Sequence, residues 1–524
     1  MLAIPFFLVD VPPVLDYPNH LARFFVLAHP EDPVLSEMYA PNWRILPNLG
    51  MDVIGALLLR LVDVHVGGRL LLALSLFAPV AGVIVYHRAV FARRSLWPLA
   101  SALVAYNGVF FLGFMNFLLA LGLALCAAGG WIVLRRQGMI WTAVVFGACA
   151  AAITFMCHLF GVLFFAVLIS AYEAERLWSE ARSTRSAGEA LRAAASIGAA
   201  LSPALLLYHL SPLDAASAPL GVWLMIGKPW WIFAAFMTPS PSLTLLTAVA
   251  VLSVLMLVRR QLRLAPGLRL ALAVLFLAFV AAPQSMGTGT FVDVRFALMI
   301  GLLLFAGVEP ELNERQAAST GLVIGALVVA RSAYIGATWV SHRQDLAEVR
   351  AAIAIVEPGT RVLPARGHPG SMTDVVRAER ALPGLYRTDS HVAALLLIER
   401  RAFCPLLFAY PGQQPLIVLR PYDALSGVLS EPADWPLLAK AEQPAGDQSA
   451  PAYSADWQAR FDNVLLIDPA AAMPSVPGLS LLHAGGYAQL YRIDHVQSGV
   501  QQHDSDRPAR SSRDWATRGV APPR

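Results

Sequence analysis

The sequence predicts an α-helical polytopic membrane protein with about 10–11 transmembrane helices and a C-terminal soluble α/β domain. Three observations predict it. The chain is 57% hydrophobic and only 14% charged, with a mean hydropathy of +0.58, whereas soluble globular proteins carry roughly 25% charged residues. Apolar segments follow one another to about residue 340. From Ser341 onward Pro, Gly and charge rise and the apolar runs shorten.

Taken in order, Met1 to Val9 is apolar but nine residues long, less than half of the roughly 20 that a spanning helix needs. It lacks a basic leader and a small-residue cleavage site, which argues against a signal peptide. It reads as an incomplete first span or a short interfacial anchor. Pro12 to Asn48 is a polar island, and within it Asp16, Asn19, His20 and Arg23 fall together. Asn48 to Val64 mixes apolar residues with Asp52, Arg60 and Asp63, as expected of a helix lying along a membrane surface. Spans are expected near 69–90, 96–113, 114–134, 139–155, 158–174, 191–210, 243–258, 268–282, 296–308 and 317–340. The chain thus divides into a membrane domain (1–340, with the polar loop and surface helices at 10–68), an α/β domain (341–497) and a disordered Pro/Arg/Ser-rich tail (498–524).

Within the second domain, 361–365, 415–419, 463–467 and 487–493 read as strands, and 345–356 and 391–403 as helices. Arginines cluster after alternate spans, at Arg88, Arg93, Arg94, Arg135, Arg136, Arg176, Arg182, Arg259 and Arg260. The positive-inside rule makes those loops cytoplasmic, so the polar island and the C-terminal domain are expected outside a cytoplasmic (inner) membrane. The net charge of +4 comes almost wholly from arginine. No basic stripe interleaved with aromatics appears, so no nucleic-acid partner is expected. Cys126, Cys149 and Cys157 fall in apolar spans and Cys404 stands alone, so no disulfide framework or Cys-rich metal site is indicated.

A charged cluster between apolar segments marks a functional site by default, because polar groups beside a bilayer need water or a partner. Asp16 and His20 stand four residues apart, which on a helix puts both on one face, with Arg23 near both. Pro18 biases Tyr17 to extended geometry, so Asp16 is expected on a loop just ahead of a helix. Asp16 reads as a general base or as the cap of that helix. His20 reads as an orienting or a structural histidine, and Arg23 as a phosphate ligand, the partner of Asp16 or a contact to membrane-lipid headgroups. Lys228, beside Trp230 and Trp231, suits a phosphate contact or an interfacial anchor. Arg295 with Asp293 suits a second phosphate contact or an internal salt bridge. His158 reads as a buried histidine bonded to a backbone carbonyl, or as a ligand contact. Asn107 and Asn116 read as hydrogen bonds between helices.

Pro13, Asp16, Pro18, His20 and Arg23, followed by Pro47-Asn48-Leu49-Gly50-Met51-Asp52 and Gly68-Arg69-Leu70, give the first 340 residues a pattern that resembles the GT-C class of membrane glycosyltransferases. The resemblance implies transfer of a sugar from a polyprenyl-phosphate donor to a lipid, glycan or protein acceptor at the outer face of the cell envelope. It implies that Asp16 acts as general base with His20 beside it, and that Asn19, Arg23, Asn48, Asp52, His158, Lys228, Asp293 and Arg295 serve the substrates. Many members carry two adjacent acidic residues; here Tyr17 stands where the second would be. No cofactor is therefore expected, although the class leaves room for a divalent metal. Two other readings compete. A transporter or flippase of a lipid-linked or envelope glycan needs polar residues near the midplane and matching halves; Arg331 is the clearest mid-span charge and no repeat is visible. A non-catalytic scaffold of envelope glycan assembly needs neither.

Overall fold

A computed structural model describes residues 1–180, 187–212, 221–287, 289–367, 380–382, 387–427, 430–439, 452–470 and 473–494. The expected tail at 498–524 lies outside the described residues. The chain is a helical membrane protein with a C-terminal region built on small sheets. Among the described residues five helices are long and apolar enough to cross a bilayer, and three further apolar helices are shorter.

The polar island forms α1 (Tyr17–Ala28), with Pro18 in its first turn where a missing N–H costs nothing. Next come α2 (Gly50–Leu58), α3 (Val64–Phe91), α4 (Met115–Arg136), α5 (Ile140–Cys157), α6 (Leu159–Glu180), α7 (Ala187–Leu210), α8 (Pro241–Leu257), α9 (Leu268–Ala281), α10 (Val292–Ala306) and α11 (Glu314–Ser341). One residue later α12 (Arg343–Ile353) begins. The surface helix expected after the island is α2: Val53, Ile54 and Leu57 are exposed, while Met51, Asp52, Gly55 and Ala56 are buried.

The span expected at 96–113 is instead two short pieces, a 3-10 helix (Trp97–Val104) and one helical turn (Gly108–Leu112). Asn107 makes the break. Its amide donates to the carbonyls of Val104 and Ala105, and its Oδ1 accepts from Phe110 N–H. It therefore closes one helix end and opens the next instead of bridging helices. Asn116 does bridge, accepting from Met51 N–H at 2.7 Å and donating to the Asn48 carbonyl at 2.9 Å. The opening segment holds a 3-10 turn (Ile4–Phe7), and Phe6 packs edge-on to Phe110 and Trp339.

Arg331, inside α11, is buried and donates to the carbonyls of Phe236 and Tyr106 and to the Thr247 hydroxyl at 2.9, 2.7 and 3.1 Å. Those carbonyls belong to interrupted helices, so the guanidinium satisfies backbone acceptors that a broken span leaves open.

Two pairs of short strands join distant parts of the chain: β1 (Tyr39–Pro41) pairs antiparallel with β5 (Leu416–Val418), and β2 (Leu262–Leu264) with β3 (Val308–Pro310). The main sheet takes β4 (Val362–Arg366), β6 (Ala433–Asp434), β7 (Asn463–Ile467), β8 (Leu479–Ala484) and β9 (Ala488–Ile493) in the order β6-β4-β7-β9-β8. β6, β4 and β7 run parallel; β7, β9 and β8 alternate. Every residue of β7 is buried, as befits a central strand. The expected strand at 415–419 is thus real but lies outside this sheet. The helix expected at 391–403 is a 3-10 turn (Val392–Ala394) followed by one π turn (Leu396–Arg400).

α3 and α4 approach so closely that a Cβ on Gly122 would lie 2.4 Å from the Ala78 carbonyl oxygen, whereas one on Gly198 of α7 would meet nothing within 4 Å. Gly122→Ala is expected to lower stability by about 1–3 kcal/mol through overpacking, while Gly198→Ala is neutral or stabilising through helix propensity. Thermal unfolding of the two detergent-solubilised variants checks this, and equal melting temperatures would refute the tight contact.

Candidate functional site

Asp16 occupies the N-cap position of α1, yet its side chain makes no capping hydrogen bond and its backbone is already near-helical. The backbone of this loop is instead fixed against the turn before α4: Leu15 N–H donates to Phe111 O at 2.9 Å and Asp16 N–H to Leu112 O at 3.2 Å. Gly113 makes that approach feasible. Its φ is +88°, and a Cβ there would sit 2.8 Å from the Asp16 Cβ, so both backbone and space demand glycine. The Asp16 carboxylate is 15% exposed and faces His391 of the C-terminal region, with Oδ1 3.4 Å from Nε2. Burial pushes its pKa above the ordinary carboxylate value, with His391 and Arg23 opposing and Glu431 adding to the rise.

The polar residues that follow on α1 point into the protein. Asn19 is fully buried; its Nδ2 donates to Leu406 O at 2.6 Å and its Oδ1 accepts from Phe408 N–H at 2.7 Å. Nδ2 also faces His391 Nδ1 at 3.4 Å. His20 Nδ1 lies 3.0 Å from Arg23 Nη2 and its ring is hydrogen-bonded to the Gly113 backbone. An arginine only donates, so Nδ1 is the acceptor and the imidazole is neutral with its proton on Nε2. Burial, then Arg23 and His391, hold its pKa well below the usual value. Arg23 does not pair with Asp16. It reaches Asp52 in a two-pronged ion pair, Nε to Oδ1 at 2.6 Å and Nη2 to Oδ2 at 3.2 Å, with both side chains 0% exposed.

Lys228 and Asp293 also pair with each other. Lys228 Nζ donates to Asp293 Oδ2 at 3.1 Å and to the carbonyls of Phe279 and Ala282 at 2.7 and 2.8 Å. That spends all three ammonium protons inside the protein, leaving none for a phosphate or a lipid headgroup. Arg295 is therefore not the partner of Asp293. Its guanidinium lies 4.9, 5.1 and 5.8 Å from the ring centres of Phe114, Phe160 and Phe117, and one Nη donates to Thr290 O. Its Nε has no hydrogen-bond partner, and its charge interacts with that of Asp16. His158 adjoins the same cage, edge-on to Phe117 at 5.4 Å. Its Nδ1 accepts from Phe160 N–H rather than bonding a backbone carbonyl. A ring nitrogen that accepts a hydrogen bond carries no proton, so the imidazole is neutral with its proton on Nε2.

The sequence-predicted residues thus separate into three groups. Arg295 interacts electrostatically with both Asp16 and His158. Asn19, His20, Arg23 and Asp52 lock α1 to its neighbours, with Asn48 held through its carbonyl by Asn116. Lys228 and Asp293 close a loop onto α9 and α10. Sequence reasoning missed His391, Glu431 and the ring cage of Arg295. No local pattern points to His391, which is 372 residues from Asn19; the aromatics of the cage blend into ordinary apolar spans.

His391 sits on a rigid mount. Asp389 accepts from Arg387 at 2.9 and 2.6 Å and from the Tyr487 hydroxyl at 2.8 Å, and Arg387 also reaches Asp468 at 2.7 Å. Beside it a hollow opens at the carboxyl ends of the parallel strands, lined by Pro364, Arg366, Ser390, Val392, Pro432 and Ile467 among others. Open α/β sheets commonly bind ligands at this edge. Among the described residues no group of three or more His, Cys, Asp or Glu side chains is placed to share a metal ion. No family model, curated protein or solved structure matches the chain.

Removing one member of a fully buried ion pair strands the other without compensation. Asp52→Ala is expected to cost about 3–5 kcal/mol, and the double change Arg23→Met with Asp52→Leu to recover most of it. Denaturation of purified protein measures both. A double variant no better than the single one would show that the pair is not the source of the loss.

Proposed function

We propose that this chain is a GT-C-like membrane glycosyltransferase that moves a sugar from a polyprenyl-phosphate donor to an acceptor hydroxyl on the extracytoplasmic side of a cytoplasmic membrane. The observation that carries this reading is a partly buried carboxylate, Asp16, within electrostatic reach of a guanidinium, Arg295, whose Nε–H is unpartnered in an aromatic cage. Transfer with inversion needs a base on one side of the anomeric carbon and a cation on the other. Asp16 takes the acceptor proton while the new C–O bond forms. The bond from the anomeric carbon to the phosphate oxygen breaks with its electron pair on the phosphate, whose charge Arg295 offsets. His158, neutral and beside the cage, can donate a hydrogen bond to the same phosphate through Nε2.

The acceptor side falls to the C-terminal domain, whose hollow at the strand ends adjoins His391. The exposed apolar faces of α2 and of the spans supply the surface along which a prenyl chain can lie. A transporter gains little support, because Arg331 is fully engaged by backbone and hydroxyl acceptors. The scaffold reading gains one observation, the internal pairing of Asn19, Arg23, Asp52, Lys228 and Asp293.

Radiolabelled transfer from a panel of polyprenyl-phosphate sugars, in membranes holding wild type or variants, tests the proposal. Asp16→Asn is expected to lose at least a hundredfold in rate, in line with removal of a general base. Arg295→Gln is expected to lose tenfold or more through a cation that acts on the leaving group. A scaffold would show no transfer in any form, and equal transfer by wild type and Asp16→Asn would remove Asp16 from the chemistry.

A further inference from the structure

We propose that His391 is the positioning residue for Asp16, so that the C-terminal domain supplies part of the catalytic centre instead of only the acceptor surface. This rests on the glycosyl-transfer reading above and names a residue that reading does not need. Asn19 is the starting point. Its amide orientation is fixed, since Oδ1 accepts from Phe408 N–H and Nδ2 donates to Leu406 O. It therefore presents an N–H to His391 Nδ1 at 3.4 Å, which favours the tautomer carrying its proton on Nε2. That Nε2–H faces Asp16 Oδ1. The order Asn19, His391, Asp16 is a chain in which each member fixes the orientation of the next, leaving Asp16 Oδ2 for the acceptor hydroxyl.

The ring has no freedom to turn away. Phe408 lies edge-on to it with centres 5.0 Å apart, and Asp389, two residues before it, is ion-paired with Arg387, which also pairs with Asp468. The charged and titratable groups around the pair come from three directions. Asp16, His20 and Arg23 belong to α1 and its approach, Glu431 to the segment before β6, and Arg295 to α10. In the transfer step the acceptor proton goes to Asp16, and His391 holds the other carboxylate oxygen while the phosphate leaves with the electron pair.

The sign of the effect on pH follows. Asp16 must be ionised to accept a proton, so activity falls as pH drops through its pKa. Burial has moved that fall upward, and His391 works against burial. Removing His391 therefore moves the acid limb to still higher pH. A histidine that served packing alone would lower yield or stability and leave the limb in place.

The experiment measures transfer against pH for full-length wild type, His391→Ala and His391→Gln, with imidazole NMR titration of His391 in wild type and Asp16→Asn. His391→Ala is expected to slow transfer about tenfold or more, at unchanged donor KM, with its acid limb at higher pH. His391→Gln keeps an N–H toward Asp16 and is expected to recover part of the rate. In Asp16→Asn the His391 titration is expected to move to lower pH. Transfer by His391→Ala with the wild-type rate and limb overturns the inference and leaves the glycosyl-transfer reading standing. No transfer by wild type overturns that reading instead, and the NMR titration then judges the pairing alone. An unchanged His391 titration in Asp16→Asn overturns the pairing.

Discussion

Every polar side chain of α1 from Asn19 to Arg23 is buried, and a buried polar group without a partner costs free energy on the scale of a protein's whole stability. That constraint turns α1 into the hub of the molecule. Asn19 must find two backbone partners and finds them in the segment at Leu406–Phe408. His20 finds the turn at Gly113, and Arg23 finds Asp52 on α2. Three parts of the chain that are remote in sequence are fixed to one helix by hydrogen bonds that only one arrangement satisfies. Asp16, one residue ahead of this helix, inherits its position from them.

The helical class was legible, and among the described residues five of the ten expected spans are helices long and apolar enough to cross a bilayer, because hydrophobicity over 18 or more residues is a strong local signal. What failed was the stretch from Trp97 to Leu112. Its composition is that of a span, but Asn107 competes for the backbone with its own side chain and breaks the helix. The irregular strand β8 was also invisible, because a bulge between Leu481 and His483 spoils the alternation that would have revealed it. In the site, residue types were legible and pairings were not. Arg23 could be seen to need an acid, yet nothing in the sequence tells Asp52 from Asp16 as that acid. The same holds for Lys228, whose partner Asp293 lies 65 residues away.

The C-terminal region shows how a site can be held by parts that never touch it. Arg380 bridges Asp345 of α12 and Asp468 after β7, Arg387 bridges Asp468 and Asp389, and Tyr487 closes the ring of contacts onto Asp389. Burial alone would raise the Asp389 pKa, but Arg387 and the Tyr487 hydroxyl hold it below the usual carboxylate value. Such a network is poor evidence for stability, since desolvation offsets its attraction. Its effect is geometric: it leaves the turn that carries His391 a single arrangement.

Arg331 has a mechanical consequence. Its guanidinium is bolted to three acceptors from other segments, so α11 cannot slide along its own axis without breaking all three. Ten residues later the helix ends at Ser341, about 15 Å further on at the usual rise, and α12 follows after a single linking residue. The height of the sheet domain along the bundle is thereby gauged from a point deep among the spans. A buried arginine far from any reacting group thus acts as the datum from which the two halves of the molecule are levelled.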